Sequence, residues 1–182
     1  MVKRFLLSGM PLMQYLKRKM VEASRPQKYR GIIGKVSDKL GAKLDLGDGW
    51  AAFSRGDYQK ALKEFSILAE EGWHDAQFNL GLMYDNGEGV PRDYQEALKW
   101  YSRSAEQGNA WAQYNLGLMY LQGKGVVRDD IQAYAWYNLS ASQGLEGARD
   151  IRDSIHKQMT PSQIVEAQKL SHELYDRIHG NK

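Results

Sequence analysis

Ala76-Gln77-Phe78-Asn79-Leu80-Gly81-Leu82-Met83-Tyr84 is written again thirty-six residues later as Ala112-Gln113-Tyr114-Asn115-Leu116-Gly117-Leu118-Met119-Tyr120. The match runs on through Gly87/Gly123, Gly89/Gly125, Val90/Val126, Arg92/Arg128, Asp93/Asp129, Ala97/Ala133, Trp100/Trp136, Tyr101/Tyr137, Ala105/Ala141 and Gly108/Gly144. Aligned without a gap, 74–109 and 110–145 share 20 of 36 residues. A period of this length marks a repeat array, whose units bury their apolar faces against one another. Such arrays offer binding surfaces more often than catalytic pockets.

Each copy reads as two helices. The first, over 73–85 and again over 109–121, puts Ala76, Leu80, Gly81 and Tyr84 on one stripe. Small residues there let two helices approach closely, with tyrosine filling the space beside them. Gly87 and Gly89 suit a tight loop. Asp93 and Asp129 stand where an N-cap belongs, with Glu96 and Gln132 expected to close capping boxes. The second helix turns Ala97, Trp100, Tyr101 and Ala105 inward and stops at Gly108. Trp100, Trp136, Tyr84 and Tyr120 are read as core.

The pattern extends in both directions. Asp57-Tyr58-Gln59-Lys60-Ala61-Leu62 aligns with Asp93-Tyr94-Gln95-Glu96-Ala97-Leu98, and Phe65, Ala69 and Gly72 fall one period before Tyr101, Ala105 and Gly108. Residues 44–72 therefore read as a shortened N-terminal capping unit, followed by full repeats at 73–108 and 109–144. Residues 145–180 read as C-terminal capping helices. In them Thr160-Pro161-Ser162-Gln163 is a helix start, and Ile164, Ala167, Leu170, Leu174 and Ile178 form one stripe.

Residues 1–43 differ in kind. Eleven Lys/Arg against Glu22 and Asp38 give them a net of +9, which leaves −6 on the rest of a chain whose total is +3. Residues 11–24 read as a basic amphipathic helix with Leu12, Met13, Leu16 and Met20 on one face. Lys3 and Arg4 precede an apolar stretch from Phe5 to Met13, but Pro11 interrupts it, Lys17-Arg18-Lys19 follow, and no small-x-small cleavage site is present. No stretch of ~20 apolar residues exists to span a membrane. The expected location is cytoplasmic, with peripheral membrane contact or export as alternatives. Three readings stand for this segment: an extra cap docked on the array, a membrane-surface contact through Leu12, Leu16, Lys17, Arg18 and Lys19, or a targeting or disordered arm.

The repeated residues resemble the Sel-one-like repeat family, bacterial-type relatives of the tetratricopeptide repeat with a longer inter-helix loop. Asp75–Gly108 and Trp111–Gly144 follow the family pattern closely. Ser104 and Ser140 replace an alanine of its paired alanines, and Val127 stands where the pattern has the proline seen at Pro91. The resemblance implies an all-α fold, an α/α solenoid of about four helix-turn-helix units, and a protein-binding adaptor or scaffold rather than an enzyme.

With no cysteine there is no thiol nucleophile or thiolate metal site. The glycine loops lack the strand and Gly-Lys-Ser/Thr of a phosphate cradle. His74, His156, His172 and His179 do not share metal-ligand spacing and read as surface residues, and no aromatic–basic interleaving points to nucleic acid. No catalytic residue, cofactor, metal, nucleic acid or small-molecule substrate is expected; a hydrolase hidden in the groove is the weakest reading. The expected partner is a protein or peptide on the concave face lined by the first helices. The positions pointing there are Asp75, Phe78, Leu82, Asp85, Asn86, Trp111, Tyr114, Leu118, Leu121, Gln122, Asp150 and Ser154. Packing of Phe78, Leu82, Tyr114 and Leu118 between units is the competing reading. Trp111 is the sharpest candidate, because its counterpart Asp75 shows that the scaffold does not need tryptophan there.

Overall fold

The computed structural model describes residues 46–180. Residues 1–45, with the expected basic helix and the contact residues Leu12, Leu16, Lys17, Arg18 and Lys19, lie outside them. Every regular element among the described residues is an α-helix: α1 Leu46–Ser54, α2 Tyr58–Glu70, α3 His74–Asn86, α4 Tyr94–Glu106, α5 Ala110–Gln122, α6 Asp130–Ser142, α7 Glu146–His156 and α8 Pro161–His179.

The described residues divide into two compact units, one ending at Glu64 and the other beginning at Phe65. In the described part of the first, Phe53 packs edge-on against both Trp50 and Tyr58, with ring centroids 5.9 Å and 5.4 Å away. Asp57 starts α2 by accepting the Lys60 N–H at 3.3 Å.

In the second unit the helices pack in chain order. α3 lies on α4, α4 on α5, α5 on α6 and α6 on α7, while α8 closes back onto α6. This is an α/α solenoid of helix-turn-helix repeats. A missing side chain sets the α3/α4 and α5/α6 contacts. A Cβ on Gly81 would sit 2.5 Å from the Tyr101 ring, and one on Gly117 would sit 3.0 Å from the Tyr137 ring. Glycine thus lets a fully buried phenol pack directly against the neighbouring helix. Ala97, Trp100, Tyr101 and Ala105 are all buried, as the sequence predicts, and so is Trp136. Tyr84 and Tyr120 stop halfway, half-buried at the ends of α3 and α5.

Polar atoms form a ladder that repeats with the same period. Gln77 Nε2 donates to the Ala69 carbonyl at 3.0 Å, and Gln107 Nε2 donates to Gln77 Oε1 at 2.7 Å. One repeat on, Gln113 Nε2 donates to Ala105 O at 3.2 Å, and Gln143 Nε2 to Gln113 Oε1 at 2.9 Å. The serines that stand in place of alanine join the same scheme. Ser104 Oγ donates to His74 O at 2.7 Å, and Ser140 Oγ donates to Ala110 O at 2.8 Å. The Ser104, Ser140, Gln107 and Gln143 bonds join the two helices of one unit. The Gln77 and Gln113 bonds to Ala69 and Ala105 join a unit to the one before it, and buried amides and hydroxyls are thereby satisfied.

The helix caps follow the sequence reading in part. Asp93 accepts from the N–H groups of Gln95 and Glu96 at 2.9 Å and 3.1 Å, and Asp129 accepts likewise from Ile131 and Gln132. The reciprocal half of the expected capping boxes at Glu96 and Gln132 has no donor to meet. The Asp93 and Asp129 N–H groups are already given to the carbonyls of Tyr84 and Tyr120, both at 3.0 Å. Glu96 turns instead to Lys99 at 3.1 Å. A complete box forms at Thr160 and Gln163, with Pro161 in the first turn of α8. Left-handed glycines, Gly87 and Gly123, end α3 and α5. Gly125 is required for a different reason: a Cβ there would collide with the Tyr94 carbonyl, where the loop of one repeat rides over α4 of the previous one.

Candidate partner-binding face

The first helices, α3 and α5, carry most of the candidate residues, and the structure sorts them. Phe78 and Leu82 are 3% and 5% exposed. Phe78 packs on Tyr101 with ring centroids 5.8 Å apart. Both belong to the scaffold, which corrects the expectation that they point to an accessible surface. Tyr114, Leu118 and Leu121 are half-buried and pack against the apolar cluster around Tyr137, Ala148 and Ile155. Tyr114 meets Tyr137 edge-on at 5.3 Å. Asp75, Asp85, Asn86 and Trp111 are half-buried, whereas Gln122, Asp150 and Ser154 are exposed.

Two polar clusters hold three of the half-buried candidates, Asp75, Asp85 and Asn86. The first lies at the starts of α3 and α5. Asn109 caps α5 by accepting the Ala112 N–H at 2.9 Å, and its Nδ2 donates to Asp75 Oδ1 at 3.0 Å. His74 Nδ1 lies 3.1 Å from the same carboxylate oxygen and 3.3 Å from Asn109 Nδ2. His74 is therefore half-buried in a polar cluster rather than free in solvent. Asn109 ties the starts of the two helices together, and Trp111 follows it by two residues.

The second cluster lies at the end of α3. Tyr101 donates its hydroxyl to Asp85 Oδ2 at 3.4 Å and also shares a hydrogen bond with Asn115. Burial lifts the Asp85 carboxyl above its ordinary value, against the opposing pull of Lys124, the Tyr101 hydrogen bond and Arg92. Burial, reinforced by the Asp85 charge, holds the Tyr101 phenol protonated well above its ordinary range. Asn86 donates to Glu88 at 3.2 Å beside it. The sequence reading missed Asn109 and Asn115. Asn109 carried a signal as an N-cap residue directly before a helix, whereas Asn115 repeats Asn79 and so looked purely structural.

This arrangement can accept positive charge and backbone amides at Asp75 and Asp85, and offers an indole at Trp111 as an apolar anchor. Among the described residues, no group of three His, Asp or Glu side chains could hold a metal ion.

Residues 74–109 and 112–145 each match the family model of the Sel1 repeat. The chain carries Sel1 repeats. Solved structures agree with that assignment. A protective antigen present in uropathogenic Escherichia coli strains, displaying an SLR fold, superposes with a TM-score of 0.71 at 32% identity. That match covers 75% of this chain and 30% of the antigen chain. A Sel1 repeat protein from Oxalobacter formigenes gives a TM-score of 0.61 at 26% identity, over 71% of this chain and 56% of that one. The chain thus spans under a third of the first structure and just over half of the second. No curated protein matches the chain. The Sel1-repeat solenoid is a protein-interaction scaffold of a typically non-catalytic kind.

Proposed function

We propose that this Sel1-repeat protein is an adaptor that binds a protein or peptide along the face carried by α3 and α5. Trp111 is its anchor, and Asp75, Asp85, Asn86 and Gln122 are its polar rim. The observation that supports this reading is a half-buried tryptophan at a position where the preceding repeat has aspartate. Partly exposed aromatics flanked by satisfied polar groups are the residue types that dominate interface energies. Asp150 and Ser154, exposed on α7, extend the same face into the last unit.

The test is an affinity capture with wild type beside Trp111→Ala, each paired with a thermal melt. The adaptor reading expects a partner recovered by wild type and reduced at least tenfold by the variant, at a nearly unchanged melting temperature. Equal capture by both proteins, or a large fall in melting temperature, overturns it.

A second reading rests on the +9 charge of residues 1–43. In it the chain is a membrane-surface or envelope-associated factor held by Leu12, Leu16, Lys17, Arg18 and Lys19, at roughly 1 kcal/mol per basic residue near an anionic surface. Co-sedimentation with phosphatidylserine vesicles, with and without residues 1–43, tests it. Binding that is absent, or that survives the deletion, removes it.

A further inference from the structure

The turn that ends α3 carries a reaction that partner binding does not use. Asn86 is the last residue of α3, and Gly87 follows it. Of the six asparagines in the chain, Asn86 alone precedes a glycine; the others stand before Leu80, Ala110, Leu116, Leu139 and Lys182. The pairing matters because the main-chain nitrogen after an asparagine can attack its carboxamide, which is one reason asparagine is a thermolabile residue. Glycine at the attacking position brings no Cβ to obstruct the ring closure. The Gly87 nitrogen gives its proton to solvent and bonds to Asn86 Cγ, and Nδ2 takes up a proton and leaves as ammonia. Water then opens the succinimide at one carbonyl or the other, leaving an aspartyl or an isoaspartyl residue at position 86. Water is the only co-reactant.

In the folded chain both ends of that reaction are tied down. The Gly87 N–H is given to the Met83 carbonyl, so the nucleophile keeps its proton in a hydrogen bond. Asn86 Nδ2 donates to Glu88 Oε2 at 3.2 Å, so the leaving group is held too. Glu88 is fixed in turn by donating its own N–H to the same Met83 carbonyl at 2.9 Å. Both ties belong to the last turn of α3 and the loop after it, where Gly87 is exposed. A helix end opens locally at less cost than the whole fold. The second repeat supplies an internal control. There α5 ends with the same backbone, Gly123 at φ +68° with its N–H on the Met119 carbonyl, but the residue before it is Gln122. Glutamine would have to close a larger ring, which is slower.

We propose that Asn86 is a self-modification site, deamidated through Gly87 at a rate gated by opening of the last turn of α3. The product changes the helix end in two ways. A carboxylate replaces the Nδ2 donor and meets Glu88 as a like charge, with Asp85 beside it in the sequence. The isoaspartyl product also adds a methylene to the main chain, which moves the left-handed Gly87 cap out of register with Met83. The end of α3 thus gains negative charge irreversibly as the protein ages. This chemistry stands whether or not the face carried by α3 binds a partner, so either reading can fail without the other.

The test incubates the folded full chain in mildly alkaline buffer and follows each asparagine by peptide-mapping mass spectrometry. Position 86 converts first, ahead of Asn79, Asn109, Asn115 and Asn138, and an isoaspartyl methyltransferase labels the same peptide. The rate rises with pH, as removal of the Gly87 proton requires. The same chain unfolded in guanidinium chloride converts at least about tenfold faster, because no opening step remains. Glu88→Ala releases the carboxamide and speeds conversion about fivefold, the factor set by a hydrogen bond of about 1 kcal/mol. Asn86→Gln, which copies the second repeat, abolishes it. Circular-dichroism melts confirm that both variants fold. Conversion that begins at another asparagine, or at none, overturns the proposal. So does a folded chain that converts as fast as the unfolded one, or a Glu88→Ala chain that converts no faster than wild type.

Discussion

The two full repeats share their glycine, alanine, tryptophan and tyrosine framework, yet the same tyrosine does different work in each. In the first, Tyr101 reaches the Asp85 carboxylate and Asn115. In the second, the position of Asp85 is Leu121 and the position of Asn115 is Ile151, and both pack into the apolar cluster around Tyr137. The Tyr137 hydroxyl is buried there with no hydrogen-bond partner among the described residues. Residues identical between the copies set where the ring lies. The residues that differ decide whether its oxygen is satisfied.

The largest effect that can break this comparison is steric. Gly81→Ala gains up to ~1 kcal/mol of helix propensity, but its methyl would lie 2.5 Å from the Tyr101 ring carbon. Displacing a fully buried ring costs ~1–3 kcal/mol, so after the propensity gain the variant should lose up to ~2 kcal/mol net in urea unfolding. Gly117→Ala meets the Tyr137 ring at 3.0 Å, and there gain and loss should nearly cancel. Equal losses for the two would show that the rings seat identically and that the repeats are not distinguished at this contact.

Removing the phenol oxygens is the next largest change. Tyr101→Phe takes a donor from a half-buried carboxylate and should cost ~1–2 kcal/mol. Tyr137→Phe removes a buried oxygen that bonds to nothing, and should be neutral or up to ~1 kcal/mol stabilising. Opposite signs in two otherwise identical substitutions would locate the difference between the repeats in Asp85 and Leu121. A loss on Tyr137→Phe would mean that its hydroxyl has a partner after all.

Much of this was legible in the sequence, because the periodic residues are those that pack. The repeat helices, the caps at Asp93 and Asp129, and the buried faces of Trp100 and Tyr101 follow from one period of the pattern, and the Thr160 cap follows from its own Thr-Pro-Ser-Gln start. What was not legible depends on the neighbouring unit. Ser104 looked like a departure from alanine, and only the fold brings its hydroxyl to a carbonyl thirty residues earlier. Glu96 looked like a capping partner, and only the loop geometry shows the Asp93 N–H already given to Tyr84. Phe78 and Tyr114 occupy equivalent positions, yet one is buried and the other half-buried. A repeat pattern describes a unit; burial and hydrogen bonding at its edges depend on what stands next to it.

Asp85 gives the smallest and most discriminating effect. Its carboxyl is raised in the folded chain, so the folded state binds the proton more tightly than the unfolded state does. Stability therefore falls as pH rises from the ordinary carboxyl value of 3.8 through the raised folded value, and above that window the ionised group carries a constant cost. The site is only partly buried and Lys124 and Arg92 lie near, so the cost at neutral pH should stay below about 1 kcal/mol. Asp85→Asn keeps an acceptor for the Tyr101 hydroxyl and removes the charge. It should melt slightly higher than wild type at pH 7, and that advantage should vanish as the pH approaches 4. An advantage independent of pH would assign the effect to packing. A loss at pH 7 would mean that Lys124 and Arg92 outweigh desolvation, making the end of the first repeat a charge-paired site unlike the apolar end of the second.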